Sequence, residues 1–132
     1  MMKMYNSLRK LMMELNELLI VYGYMIQNAP TEEARRLSDL NRRTVKATKE
    51  ALGKMYESTF NENLAAMSEV AEEVPVFADF RAAAQYAFIE ESQVIQMLKS
   101  LHMAADQCNH AIIFGQLIEH IVNAMRMLYL LT

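Results

Sequence analysis

Residues that interrupt helices are scarce in this chain, which has three Gly and two Pro among its 132 residues. Trp is absent and β-branched residues are few, whereas Ala, Leu, Met, Glu and Lys, which favour helix, dominate. The composition therefore predicts an all-α protein. A chain of this length predicts one domain, residues 1–132, that can bury about two-thirds of the surface of its unfolded chain.

Turn-forming residues divide the chain into four long segments. Thr31 is a good N-cap for the second segment, and Pro75 can open the third. The predicted main helices are 2–27, 31–59, 76–103 and 107–131. Residues 61–75 are predicted to form a linker that contains a short helical piece at 64–73.

Each predicted helix carries a stripe of core residues spaced three and four apart. The first stripe is Leu8, Leu11, Leu15, Leu18, Tyr22 and Met25, and the second is Leu37, Leu40, Val45, Leu52 and Met55. The third is Phe77, Phe80, Ala84, Phe88, Glu91, Ile95, Leu98 and Leu101, and the fourth is Ile113, Gln116, His120, Asn123, Met127 and Leu130. Short first and third connections favour antiparallel neighbours, and the long second connection allows a crossover. The predicted fold is an antiparallel four-helix bundle with a long crossover between helices two and three.

Polar residues interrupt the stripes of the last two helices. Glu91 occupies a core position on helix three, and Gln116, His120 and Asn123 share the inward face of helix four. Burying an unpaired carboxylate is costly. We therefore predict that Glu91 and His120 form a hydrogen-bonded pair in the core, whereas Glu90, the neighbour of Glu91, is expected to be exposed.

Carboxylate-bridged di-iron sites are built at similar positions of four-helix bundles. They take a Glu from each of two helices and a Glu-x-x-His pair from each of the other two. The residues expected at these inward positions are Leu15, Val45 with Thr48, Glu91, and His120 with Asn123. Because Leu and Val cannot bind a cation, one carboxylate and one imidazole remain from a set of six ligands. We predict no cofactor and no di-iron centre, with iron or another divalent metal as the alternative.

Three segments carry a resemblance to a known family. Residues 28–35 (NAPTEEAR) resemble a first hairpin turn, residues 86–93 (YAFIEESQ) a third helix, and residues 123–132 (NAMRMLYLLT) a terminal helix, of small rubrerythrin-related proteins in the ferritin-like superfamily. The resemblance implies a ferritin-like bundle and iron-dependent redox chemistry. It also implies that Glu91 matches an iron-binding Glu.

The other ligand positions implied by the resemblance hold different residues. Leu15 stands where the family has its first Glu, although Glu14 or Glu17 would fit if turn lengths differ. Where the family has its first Glu-x-x-His, this chain has Val45 and Thr48. Where the family has its second, this chain has His120 and Asn123. We therefore expect a ferritin-like protein whose di-iron site is degenerate.

Charge and cysteine content narrow the possible partners and compartments. The net charge is −3 and no basic stripe is present, so nucleic-acid binding is not expected. The single cysteine, Cys108, fits a reducing, cytoplasmic location. Residues 111–131 are the most apolar stretch, but polar side chains interrupt it, so we expect no membrane span.

These observations favour a non-enzymatic scaffold or interaction protein that has kept a ferritin-like fold and lost the iron chemistry. A residual metal-dependent oxidase or peroxidase is one alternative, and a bundle that binds a small molecule in the former metal cavity is another. A two-fold homodimer is also expected. Its predicted surface is the apolar set of helix one that lies outside the core stripe, which is Met4, Met12, Leu19 and Ile26.

Overall fold

A computed structural model of the chain describes the backbone of residues 2–60 and 74–132, and the side chains of residues 4–57 and 74–132. Its four helices are α1 (Met2–Asn28), α2 (Glu32–Phe60), α3 (Phe80–Ala104) and α4 (Gln107–Leu131), with no strand among the described residues. The predicted all-α four-helix fold is confirmed. The predicted short helix at 64–73 lies outside the described residues.

Capping side chains fix the starts of α2 and α3. The Thr31 hydroxyl accepts the Ala34 N–H at 3.1 Å, as the predicted N-cap requires. The prediction that Pro75 opens the third helix is wrong. That helix begins at Phe80, because the Asp79 carboxylate accepts the Ala82 N–H at 2.8 Å and so caps the first turn.

The four helices pack in a square. α1 contacts α2 and α3, and α4 contacts α2 and α3, while the diagonal pairs make no contact within the described ranges. At one end of the bundle Tyr24 of α1 packs on Phe77, and Arg81 of α3 donates to the Leu131 carbonyl at the end of α4. At the other end burial raises the pKa of Tyr56 of α2, and the nearby charge of Asp106 in the α3–α4 turn raises it further. The end of α2 and the start of α3 therefore lie at opposite ends of the bundle, and residues 61–73, on which the predicted crossover falls, are outside the described part.

The core follows the predicted stripes of α1 and α4 and departs from those of α2 and α3. All six predicted α1 residues are buried, as are Ile113, His120, Asn123 and Met127 of α4. On α2, Ser38 and Asn41 are fully buried, whereas the predicted Leu37 and Leu40 are only half-buried. On α3 the small residues Ala83, Ala84 and Ala87 are buried, and the predicted phenylalanines lie at the margin. Small side chains let the backbones of neighbouring helices approach, which shifts the contact face of α3.

The apolar surface lies on a different helix from the one predicted. Met12 is fully buried, Met4 and Leu19 pack against the core, and Ile26 is half-buried, so α1 offers no such face. The large exposed apolar side chains are concentrated on α4 instead, and they include Phe114, Ile118, Ile121, Met125 and Leu128. None of the described helices is both long enough and apolar enough to cross a membrane.

Candidate functional site: a buried polar network

A polar network crosses the middle of the bundle and takes side chains from all four helices. Its members, which we call the core network, are Tyr22 of α1, Asn41 and Thr48 of α2, Glu91 of α3, and Gln116, His120 and Asn123 of α4. All of them except Gln116, which is half-buried, are fully buried.

Glu91 is the centre of the core network. Its Oε1 accepts the Tyr22 hydroxyl at 2.7 Å and the Asn123 amide at 3.0 Å. Its Oε2 accepts His120 Nδ1–H at 2.7 Å, so the predicted Glu91–His120 contact is confirmed. Three donors on two oxygens replace the water that the carboxylate loses on burial.

Asn41 links this centre to α2 and to the surface. Its amide Nδ2 donates to the Tyr22 hydroxyl at 3.2 Å and to the Asn123 backbone carbonyl at 3.0 Å. Half-buried Arg126 donates to the side-chain oxygens of Asn41 at 3.2 Å and of Asn123 at 3.3 Å. The positive charge of Arg126 is thus linked to the Glu91 carboxylate through the Asn123 side chain.

The far side of the His120 ring contacts Thr48 at 2.8 Å between Nε2 and Oγ1. The Thr48 hydroxyl lies 2.6 Å from Gln116 Oε1 and 3.1 Å from the Thr44 carbonyl. The Thr48 hydroxyl has one proton, so it can act in two ways. In the first, Thr48 donates to Gln116 Oε1 and accepts Nε2–H from an imidazolium. In the second, Thr48 donates to Nε2 of a neutral imidazole, and the Gln116 amide is flipped so that its NH2 group donates to Thr48 Oγ1. Both arrangements satisfy the ring, and neither leaves a nitrogen lone pair open to a metal.

Tyr22 has the most strongly perturbed acidity among the described tyrosines. Burial raises its pKa well above the ordinary value of 10.0, and the adjacent Glu91 charge and hydrogen bond raise it further. The phenol therefore stays protonated and acts as a fixed donor to Glu91.

Of the six buried members, the sequence analysis placed four on inward faces, Thr48, Glu91, His120 and Asn123, and it missed the polar role of the other two. Glu91, His120 and Asn123 interrupt apolar stripes, which is a visible signal. Tyr22 looks like a core aromatic, and only the need of Glu91 for further donors points to it. Asn41 precedes Thr48 by seven residues and so shares its face, a spacing that would have indicated burial in place of Leu40.

The donor set does not fit the di-iron centre that the family resemblance implies. Leu15 and Val45, at two of the implied ligand positions, are fully buried apolar residues. Both oxygens of Glu91 and both ring nitrogens of His120 are engaged by other side chains of the core network. A metal ion would have to displace these contacts, and it would gain one carboxylate and one imidazole, too few for a pair of ions.

A second group of carboxylates lies between α1 and α3. Oxygens of Glu14, Glu17 and Glu90 approach within 4.8 Å of one another. The expectation that Glu90 is exposed is wrong, since only 8% of it is accessible and Glu17 is at 4%. Glu90 lies on the flank of α3 that packs on α1, next to the core face that carries Glu91. The group contains no histidine and has no Glu-x-x-His spacing.

Comparison of the chain with models of protein families, with curated proteins and with solved structures gives no match in any of the three. The ferritin-like resemblance stays a hypothesis that rests on its three segments and on the inward positions of the four helices.

Proposed function

We propose that the protein is a non-enzymatic scaffold or interaction protein of ferritin-like type in which a hydrogen-bonded core network stands in place of a di-iron site. The observation that carries the proposal is the complete engagement of Glu91 and His120 by protein donors and acceptors. Among the described residues, no buried side-chain nitrogen or oxygen of the core network is without a partner.

The burial of the network argues against catalysis at this site. Glu91, His120 and Thr48 are all 0% exposed, so a substrate could reach them only if the helices separated. A groove of about 330 Å³ between α2 and α4 reaches Gln116 but not the fully buried members. The space between the former ligand positions is filled by side chains, which also disfavours a small molecule bound there.

A fully satisfied polar network has a structural role that apolar residues do not supply. Each of its bonds fixes one helix against another, because a shift of one residue would leave a buried carboxylate without donors. The network therefore selects a single register for the four helices. A rigid bundle with a defined outer surface is what a scaffold requires.

A metal-dependent oxidase or peroxidase is the second candidate, and the grouping of Glu14, Glu17 and Glu90 is the one observation that favours it. Three carboxylates at this distance are ligands that hard divalent cations prefer. The group lacks the imidazoles of carboxylate-bridged di-iron sites, which disfavours redox chemistry there.

Metal analysis separates the two candidates. The protein would be produced in medium supplemented with iron and manganese, purified without chelator, and analysed by mass spectrometry for metals. Two variants would be run in parallel: Glu91→Gln, and Glu14→Gln combined with Glu17→Gln.

We expect the wild-type protein to carry far less than one ion per chain. About two ions per chain, lost in Glu91→Gln, would overturn the proposal. Bound metal that is lost only in the Glu14→Gln/Glu17→Gln variant would favour the second candidate.

A further inference from the structure

The outward side of α4 carries a continuous apolar surface. Five large side chains, which we call the α4 stripe, are between 38% and 62% exposed: Phe114, Ile118, Ile121, Met125 and Leu128. The outward residues of α2 are mainly charged and include Arg36, Arg43, Lys46, Glu50 and Lys54. Charged side chains are the usual covering of a solvated helix face, so the α4 stripe differs from the described outward face of α2.

The spacing of the stripe is regular. Its residues follow one another at intervals of four, three, four and three, so that the average interval is 3.5 residues. This is the repeat of the seam by which two helices pack in a coiled coil. The stripe extends over about four turns of helix. The geometry fits a second helix packed lengthwise along α4.

We infer that the α4 stripe is the interface of a two-fold homodimer in which α4 packs antiparallel against α4 of a second copy. A two-fold interface must be complementary to itself, because each contact occurs twice. An axis at the level of residue 123 brings Ile118 opposite the partner's Leu128. It also brings Ile121 opposite the partner's Met125, so four of the five residues interdigitate.

The charged side chains of α4 do not interrupt the stripe. Apart from histidine, the helix has two charged side chains, Glu119 and Arg126, and both line the groove between α2 and α4. Half-buried Arg126 also donates to Asn41 and Asn123. A second copy that covers the stripe therefore buries no charged side chain of α4, and the symmetry of the apolar layers about residue 123 favours a second copy over an unrelated helix.

The apolar area is also close to what a dimer requires. Tyr129, which is also on α4 and is 57% exposed, extends the stripe. Together the six side chains leave on the order of 500 Å² of apolar surface, compared with about 800 Å² per partner in a standard interface. Polar atoms at the rim supply the remainder. The inference does not depend on the proposed loss of the metal site.

Sedimentation equilibrium over a wide concentration range tests the inference. We expect the wild-type protein to have twice the chain mass of 15.2 kDa. The test variant is Ile121→Lys combined with Met125→Lys, which places four charges in the interface of the two copies. The matched control is Ile20→Lys, an exposed isoleucine of α1 at 48% accessibility that lies outside the stripe.

The α4 variant should raise the dissociation constant of the dimer by roughly a hundredfold or more, because charges replace the centre of the interface. Ile20→Lys should change it little.

A second measurement needs no variant. In protein with labelled methionine methyl groups, the Met125 signal should shift on dilution, while that of Met103, which is 85% exposed and off the stripe, should not. This measurement decides the matter if circular dichroism shows that the α4 variant has lost its helix content. A wild-type mass of one chain at every concentration would overturn the inference, as would a dimer that the folded α4 variant leaves intact.

Discussion

Glu91 shows how a single buried carboxylate can be accommodated in a helical core. An isolated ionised carboxylate would be expelled or neutralised there, because its burial costs several kcal/mol. Here Tyr22, Asn123 and His120 surround it with donors from two neighbouring helices. Its stability thus depends on residues far apart in the chain, and each donor can be tested separately.

The Tyr22 hydroxyl can be removed with little change in volume. Tyr22→Phe leaves the Glu91 carboxylate with one buried donor fewer, so we expect a loss of about 1.5–3 kcal/mol in the free energy of unfolding. Tyr129→Phe is the matched control, because its hydroxyl also donates to a carboxylate, that of Glu33, but on the surface. Urea denaturation should show the loss for Tyr22→Phe only. Equal effects of the two substitutions would contradict the account of the buried bond.

The raised pKa of Tyr22 predicts a dependence of stability on alkaline pH. In the folded protein burial and Glu91 keep the phenol protonated, whereas in the unfolded chain it ionises near its ordinary value of 10.0. The unfolded state then binds fewer protons, so the stability present below pH 10 is lost progressively as the pH rises through that value.

Denaturation between pH 9 and pH 11 should therefore give a steeper fall for the wild type than for Tyr22→Phe. The difference in slope should be up to about 1.4 kcal/mol per pH unit. Parallel slopes would show that Tyr22 ionises equally in the two states.

For single residues, the sequence predicts the buried polar side chains that interrupt an apolar stripe and misses those that fit the stripe. Glu91 and His120 stand out because a charged or titratable side chain occupies a core position. Tyr22 fits an apolar stripe, and its role depends on a partner 69 residues away. The Asn41 amide donates to Tyr22 and to the Asn123 carbonyl, and in the sequence only its seven-residue spacing from Thr48 distinguishes it from Leu40 as the buried residue.

At the level of single helices, a capping side chain decides where α3 begins. Asp79 and Asp106 both occupy N-cap positions, but only the Asp79 side chain accepts a backbone N–H. We expect Asp79→Ala to lower the free energy of unfolding by about 1 kcal/mol, and Asp106→Ala to lower it by less. Thermal melting of the two variants tests this. A larger loss for Asp106→Ala would contradict the assigned cap.

The sequence predicts helices and their buried faces best where helix propensity and apolar packing agree. The stripe of α1 is apolar throughout, and all its residues are buried as expected. The predicted start of α3 is too early, because Pro75 is compatible with a helix start but Asp79 forms the actual cap. The buried faces of α2 and α3 differ from the predicted ones. Polar and small residues give no hydrophobic signal in the sequence, and their burial depends on the neighbouring helices that they contact.

At the scale of the whole molecule, the inward positions of the four helices can be tested by restoring ligands. The variant combines Leu15→Glu, Val45→Glu, Thr48→His, His120→Glu and Asn123→His. If these positions converge with Glu91 as the family resemblance implies, the variant should bind cobalt or iron. It should be less stable than the wild type without metal, because buried carboxylates repel one another.

Metal should restore part of that stability, since it binds only the folded state. The measurement is the melting temperature with and without cobalt. A variant that folds but shows no rise with cobalt would mean that the inward positions have been misassigned.

Whether side chains of the protein alone contact the His120 ring can be measured on the ring itself. Nuclear magnetic resonance of ¹⁵N-labelled histidine resolves both ring nitrogens, and zinc(II) is a diamagnetic ion that imidazole binds. With equimolar zinc, we expect unchanged His120 resonances and a persistent Nδ1 proton shared with Glu91, whatever happens at the more accessible His102 and His110. Displacement of the His120 signals with loss of the Nδ1 proton, saturating at a stoichiometric amount of zinc, would show that a metal ion binds there instead.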